Sequence, residues 1–175
     1  MSEITTRTRS APARVITLPL TWGAQARGQI GDLWFELLVD GTPVSWRYLA
    51  PRIARVTDGA GQTHRLRVAG SGGVKTLGAH RRRGYAARLH AVYLETVRAQ
   101  GYDAALLFCQ APHVAYNARL GYQILDHETV RVTYRQPHQD TPTRLPAHIW
   151  AGILGLHPHV PVTDLRAIDL EGLPW

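Results

Sequence analysis

The residue types best able to do chemistry in this 175-residue chain stand together at Arg81, Arg82, Arg83, Gly84, Tyr85 and Ala86. An apolar extended run, Val74 to Leu77, leads through a short loop into a helix-periodic segment. The arginines and the glycine fall where that helix opens. A helix start carries unpaired backbone N–H groups and the positive end of the macrodipole, so it suits a phosphate. Gly84 has no Cβ and lets a bulky anion come down onto the backbone, while the arginines add charge-assisted donors. The same residues also read as a plain arginine-rich helix start, and context has to choose between the two.

That context is a strand, helix, strand unit. From Arg83 to Gln100 the apolar positions Tyr85, Leu89, Val92, Tyr93 and Val97 recur at helical spacing, which marks a core-facing stripe. Gly101 stands where a C-cap glycine belongs. DAALLFC then reads as a buried parallel strand, joined to the earlier one by a right-handed crossover. Two common phosphate motifs are absent. There is no Gly-x-x-x-x-Gly-Lys-Ser/Thr run and no dinucleotide fingerprint with spaced glycines and a later acid.

The residues Arg81-x-x-Gly84-x-Ala86 resemble the Gln/Arg-x-x-Gly-x-Gly/Ala signature of the GNAT superfamily of acetyl-coenzyme A dependent N-acyltransferases. A second point of resemblance follows in APHVAYNARLGYQIL, which is similar to the family's short helix and strand, Phe-Tyr-x-x-Leu-Gly-Phe. Tyr116, Asn117, Leu120, Gly121 and Tyr122 occupy those places. The resemblance covers roughly residues 33 to 135, and both motifs come in their proper order. It implies a mixed α/β fold: a central, mostly antiparallel twisted sheet with a splayed parallel strand pair and flanking helices.

The resemblance also implies site residues. Val74, Lys75, Thr76 and Leu77 would pair with the pantetheine arm of acetyl-coenzyme A as an added strand. The stretch Arg81, Arg82, Arg83, Gly84, Tyr85, Ala86 and Ala87 would cradle its pyrophosphate, and the Val74 N–H is the candidate for polarising the thioester carbonyl. In many members the tyrosine after the phenylalanine is the general acid for the departing thiolate. This chain has Asn117 there, and Tyr116 is one residue away, about 100° around a helix. Either Tyr116 protonates the sulfur, or Asn117 positions it and water supplies the proton, which a leaving thiolate with a pKa near ~8.5 allows.

Other departures bear on the acceptor. The family often places a carboxylate on the strand before the phosphate loop, yet no acid lies between Thr63 and Gly78. Glu36, Asp40, the acidic tail or a water chain would have to serve as base. Ser71 and His64 lie on the right strand but read as structural. Cys109 ends the buried strand with His113 four residues on, and a lone cysteine there reads as core rather than nucleophile. The family's helices after its first strand are reduced to the short interval Thr21 to Gly31. The acceptor site is therefore expected to be open, or completed by the C-terminal segment or a second subunit. The ending LRAIDLEGLPW resembles aminoglycoside 2'-N-acetyltransferases, which also finish on tryptophan near the acceptor pocket. Trp175, Asp169 and Glu171 are thus expected either to receive a cationic acceptor or to close the sheet.

Composition bounds the rest. With 45% hydrophobic and 19% charged residues, the chain is an ordinary globular protein. Residues 1–12 read as a flexible tail and 13–175 as one domain. No run of about 20 apolar residues spans a bilayer, and the N-terminus has no signal-peptide core, so no membrane partner and a cytoplasmic location are expected. A single cysteine and scattered histidines offer no metal site. The net charge is +7, with +9 up to Leu125 and −2 from Asp126 onward, which suits a polyanionic coenzyme and a cationic acceptor. A nucleic-acid partner is not expected, because no recognition helix or aromatic RNA-binding motif is present.

The remaining elements are expected as strands at ARVITLPL, LWFELLVD and PVSWRYLAPRIARV, the last interrupted or edged at Pro51. Asp40-Gly41 reads as a hairpin turn and HRLRVAGSGGVKTL as a long strand disturbed by its glycines. HIWAGILGL is a buried strand or a short helix. Two functions stay in view: an N-acetyltransferase with acetyl-coenzyme A as co-substrate, and a GNAT-fold protein that binds acyl-coenzyme A as a regulator or scaffold.

Overall fold

The computed structural model describes residues 3–10, 15–17, 27–29, 33–135, 141–160 and 162–172. Among these the strands are β1 (Ile4–Ser10), β2 (Val15–Thr17), β3 (Arg27–Gln29), β4 (Leu33–Val39), β5 (Thr42–Asp58) and β6 (Thr63–Thr76). Helix α1 (Tyr85–Ala99) separates them from β7 (Ala104–Gln110), and α2 (Val114–Arg119) follows. The chain continues with β8 (Gln123–Leu125), β9 (Arg131–Tyr134), β10 (Thr143–Arg144), β11 (Ile149–Gly155) and β12 (Leu165–Leu170). The fold is mixed α/β, built on a mostly antiparallel sheet. The described residues form two compact units, and β5, β6 and α1 contribute to both.

The first unit takes residues up to Ala50 and Ser71–Glu95. β1 runs antiparallel to β4, with Ile4 opposite Val39 and Ser10 opposite Leu33, so residues 4–10, expected as tail, are strand. β4 pairs in turn with the start of β5, placing Phe35 opposite Arg47. Their hairpin turns at Asp40 and Gly41, with φ of 50° and 75°. Positive φ at both central residues matches the right-handed twist of the strands, and this is why Asp-Gly stands there. The end of β6 lies beside β5, where the Leu77 N–H donates to the Val44 carbonyl at 2.9 Å. Phe35, Leu37, Leu49, Leu89 and Tyr93 are all at most 1% exposed and form the core of this unit. The ring of Phe35 meets Tyr93 edge-on at 5.6 Å.

The second unit takes Pro51–Gly70 and residues from Thr96 onward. Its strands lie in the order β10, β9, β12, β5, β6, β7, β11, β8. β12 is antiparallel to β5 and parallel to β9. β11 fits between β7 and β8, antiparallel to both, which resolves HIWAGILGL as a strand. Gly152 in β11 sits in tight packing: a Cβ there would meet Leu107, Ile124 and Tyr122 at 3.2 to 3.3 Å. Alternation sends Val56, Leu66, Val68, Val132 and Ile168 inward, while Arg55, Arg65, Arg67 and Arg131 face solvent.

Several expectations change. Pro51 does not interrupt β5. Pairing with β4 ends at Leu49 and pairing with β12 begins at Ala54, so the missing N–H falls where the neighbouring strand changes. Within the interval Thr21 to Gly31, where the family has helices, Arg27–Gln29 form a strand paired with β2. The tail residues Leu165–Leu170 form an interior strand of the sheet. Helix α1 starts two residues later than its apolar stripe suggested and ends one earlier. The expectation for Trp175 lies outside the described residues.

Candidate functional site

In the first unit the candidate residues form a continuous run from the end of β6 into α1. Gly73 has φ of 58°, and a Cβ there would come within 2.5 Å of the Tyr48 ring, so conformation and space both demand glycine. Val74 and Leu77, at 47% and 38% exposure, are the large hydrophobic side chains left in solvent among the described residues. This stretch is tied to β5: Ser45 Oγ donates to the Lys75 carbonyl at 3.1 Å and meets Thr76 Oγ1 at 2.9 Å. The Lys75 ammonium lies 5.5 Å from the centre of the Trp46 ring.

A single 3-10 turn, Gly78–His80, then leads into the arginines. Arg81 Nε reaches back to the Thr76 carbonyl at 3.2 Å, which ties the loop to the strand it left. Arg82 and Gly84 are both left-handed, with φ of 60° and 74°. Such changes of hand turn successive amides toward a common point, and a non-glycine residue held there costs about 1–2 kcal/mol. The space over Gly84 is empty, with nothing within 4 Å of where a Cβ would be. The first bond of α1 runs from the Arg88 N–H to the Gly84 carbonyl at 3.0 Å, so the amides of Tyr85, Ala86 and Ala87 precede the helical ladder. No acidic side chain stands in that first turn. Arg81, Arg82, Arg83 and Gly84 are all exposed, whereas Tyr85 is buried as the first residue of the core stripe.

In the second unit, Tyr116 and Asn117 sit on α2 and are half-buried. The Tyr116 hydroxyl itself is shut off from solvent. The side chain of Asn117 hydrogen-bonds Cys109, eight residues back at the end of β7. Burial pushes the Cys109 thiol above its ordinary range, and this bond only partly offsets the rise. A thiol kept protonated is a poor nucleophile, and His113 stands exposed at the turn before α2.

The candidate bases are engaged elsewhere. Glu36 is buried and takes two donors from Arg7, at 2.9 and 2.6 Å. Asp40 accepts from the Glu3 N–H at 2.9 Å. The tail acids, expected to be open to a cation, already hold arginines: Glu171 is clamped by Arg55 at 3.0 Å and Arg65 at 3.1 Å. Asp169 accepts from Thr133 at 3.0 Å and lies 3.5 Å from Arg135. His64 is paired with Asp58 at 3.1 Å. Among the described residues no three metal-ligating side chains come together, and no helix is long and apolar enough to cross a membrane.

Sequence reading missed one feature, a buried polar group of Arg47, Ser71 and His90 in the first unit. Its only signal is a charged residue inside PVSWRYLA and a histidine one place from the core stripe of α1.

No protein-family model matches the chain, and no curated protein matches its sequence. Solved structures do match in fold. The GNAT family N-acetyltransferase YhbS from Escherichia coli, solved in complex with CoA, is 17% identical with a TM-score of 0.55, over 81% of this chain and 68% of that one. A putative N-acetyltransferase from Lactobacillus plantarum is 14% identical with a TM-score of 0.54, over 88% of this chain and 99% of that one. Against Eis1 from Mycobacterium abscessus the chain covers 21% of the other protein, at 22% identity and a TM-score of 0.44 over 51% of this chain. The chain therefore has the fold of GNAT family N-acetyltransferases.

Proposed function

We propose that this protein is an N-acetyltransferase that moves an acetyl group from acetyl-coenzyme A to an amine acceptor. The observation that carries the reading is the run from Gly73 to Ala87. It joins a strand end with exposed Val74 and Leu77, a loop of three exposed arginines, a left-handed Gly84 under empty space, and the first-turn amides of α1 that precede its hydrogen-bond ladder. A pantetheine amide would pair with such a strand end, and a pyrophosphate suits such a helix start. That YhbS was solved with CoA supports the same choice of ligand.

In this reading the acceptor nitrogen attacks the thioester carbonyl carbon, with the Val74 N–H stabilising the oxygen as charge develops. The C–N bond forms, the C–S bond breaks, and the sulfur leaves as thiolate. The proton lost by the nitrogen passes through water to the sulfur.

A second reading has its own support. Asn117 stands where an acid is usual in the resembling family, and both Glu36 and Asp40 are engaged, which fits a protein that binds acyl-coenzyme A with little turnover. Calorimetry with acetyl-coenzyme A, combined with thiol release against a panel of small amines, peptides and lysine-bearing proteins, separates the two. Binding with thiol release supports the enzyme. Binding without release on any amine supports the regulator, and no binding removes both.

A further inference from the structure

Arg47 is 3% exposed, in the middle of β5. Its guanidinium makes side-chain contacts that run to different elements. Nη2 donates to Ser71 Oγ on β6, and Nη1 lies 2.5 Å from His90 Nδ1 on α1. Ser71 and His90 are themselves buried, at 4% and 3% exposure. The guanidinium lies 4.4 Å from the centre of the Tyr93 ring, and His90 stacks on the same ring at 5.9 Å and 21°. Because arginine has only donors, His90 Nδ1 must be the acceptor, and the imidazole proton sits on Nε2. The planar fork can hold both partners at once in a fixed geometry, which a lysine cannot do.

The positions of the two partners give the group its meaning. Ser71 stands two residues before left-handed Gly73 and three before Val74, the amide proposed to polarise the thioester. His90 stands six residues after Gly84, in the second turn of the helix whose opening is proposed to grip the pyrophosphate. Resting on the acetyl-coenzyme A reading, we propose that Arg47 is a positioning residue that fixes the end of β6 around left-handed Gly73 against α1, so that a coenzyme held at its pyrophosphate presents its thioester to the Val74 amide. Ser71 and His90 are the two points through which it acts. Loosening Arg47 leaves the phosphate seat intact, because that seat is built from the loop and the first turn alone. The carbonyl end then loses its register, and small displacements there are costly to a polarising hydrogen bond.

The test uses the full chain and acetyl-coenzyme A carrying 13C at the thioester carbonyl. It records the carbonyl resonance on binding, with affinity from calorimetry and folding from thermal melts. Arg47→Lys is expected to keep affinity within about threefold while the bound carbonyl resonance returns toward its free position. Since a buried arginine can also hold up the fold, His90 supplies a second pair. His90→Gln keeps an acceptor for Nη1 and should retain the bound resonance, whereas His90→Leu should lose it at unchanged affinity. A resonance that is displaced equally in the unaltered chain, Arg47→Lys and His90→Leu overturns the positioning role while leaving coenzyme binding in place. Absence of binding by the unaltered chain overturns the acetyl-coenzyme A reading itself, and this role with it.

Discussion

Arginine appears in the first unit in two opposite settings. Arg81, Arg82 and Arg83 stand in solvent on a loop with two left-handed residues, while Arg47 is enclosed among Ser71, His90 and Tyr93. Arg81 ties the loop back to Thr76, and Arg82 is held in a left-handed conformation that costs stability. Their exposure suits the anionic ligand proposed above. Arg47 is the reverse: a buried charge is costly unless it is met by polar groups, and here Nη1 and Nη2 meet groups on two other elements. In the proposed reading the same residue type serves a ligand in one place and the relation between two elements in the other.

The contrast can be broken most sharply at Gly84. Replacing it with valine puts a β-branched side chain at φ of 74° and fills the open space over the helix start. Acetyl-coenzyme A affinity measured by calorimetry should fall at least tenfold. The fold should lose only about 1–2 kcal/mol in urea titration, because nothing surrounds the new side chain. Unchanged affinity would remove the phosphate seat.

Arg82→Gly sharpens the same contrast, because it separates ligand binding from stability in sign. Glycine removes the left-handed strain of about 1–2 kcal/mol and adds roughly 0.4–1 kcal/mol of unfolded-state entropy, so the fold should gain up to ~1 kcal/mol. Binding of acetyl-coenzyme A should weaken several-fold with the lost guanidinium, and less so at high salt. A variant that is both less stable and equally able to bind would place Arg82 among the structural residues.

What was legible in the sequence follows the same division. The loop was readable because its demand is local: Gly84, three arginines and a helix stripe lie within one strand, helix, strand unit. The Asp40-Gly41 turn was readable for the same reason. The grouping of Arg47, Ser71 and His90 was not, since Ser71 and His90 lie 24 and 43 positions from Arg47 on two other elements, and a single charge in an apolar run looks like any other. Pro51 misled because its effect depends on which strand lies beside it. The tail misled because Asp169 and Glu171 are exposed in sequence pattern yet meet arginines from β5, β6 and the end of β9 in space.

In the second unit the contrast between buried and exposed groups can be tested at Asn117. Its side chain draws the Cys109 pKa down while burial holds it above its ordinary 9.0. Asn117→Leu keeps the volume and removes the hydrogen bond, so the thiol should titrate higher still. Alkylation of Cys109 by iodoacetamide at pH 8 should therefore slow, and its pH profile should move upward. A faster reaction would mean that access, not the thiolate fraction, governs this cysteine.

The smallest effect is expected at Glu171, where the partners are exposed on both sides. Arg65 first, and then Arg55, hold its carboxyl below the ordinary 4.5, with desolvation opposing them. A carboxyl lowered on folding stabilises the protein above its unfolded pKa, and this contribution is lost as pH falls through the folded value. Glu171→Gln should therefore be slightly less stable than the unaltered chain at pH 7, and the two urea midpoints should converge below about pH 4. Salt should narrow the gap at pH 7, because exposed pairs are screened. A gap that persists at pH 3 would show that Glu171 acts through packing against the arginine stems rather than through its charge.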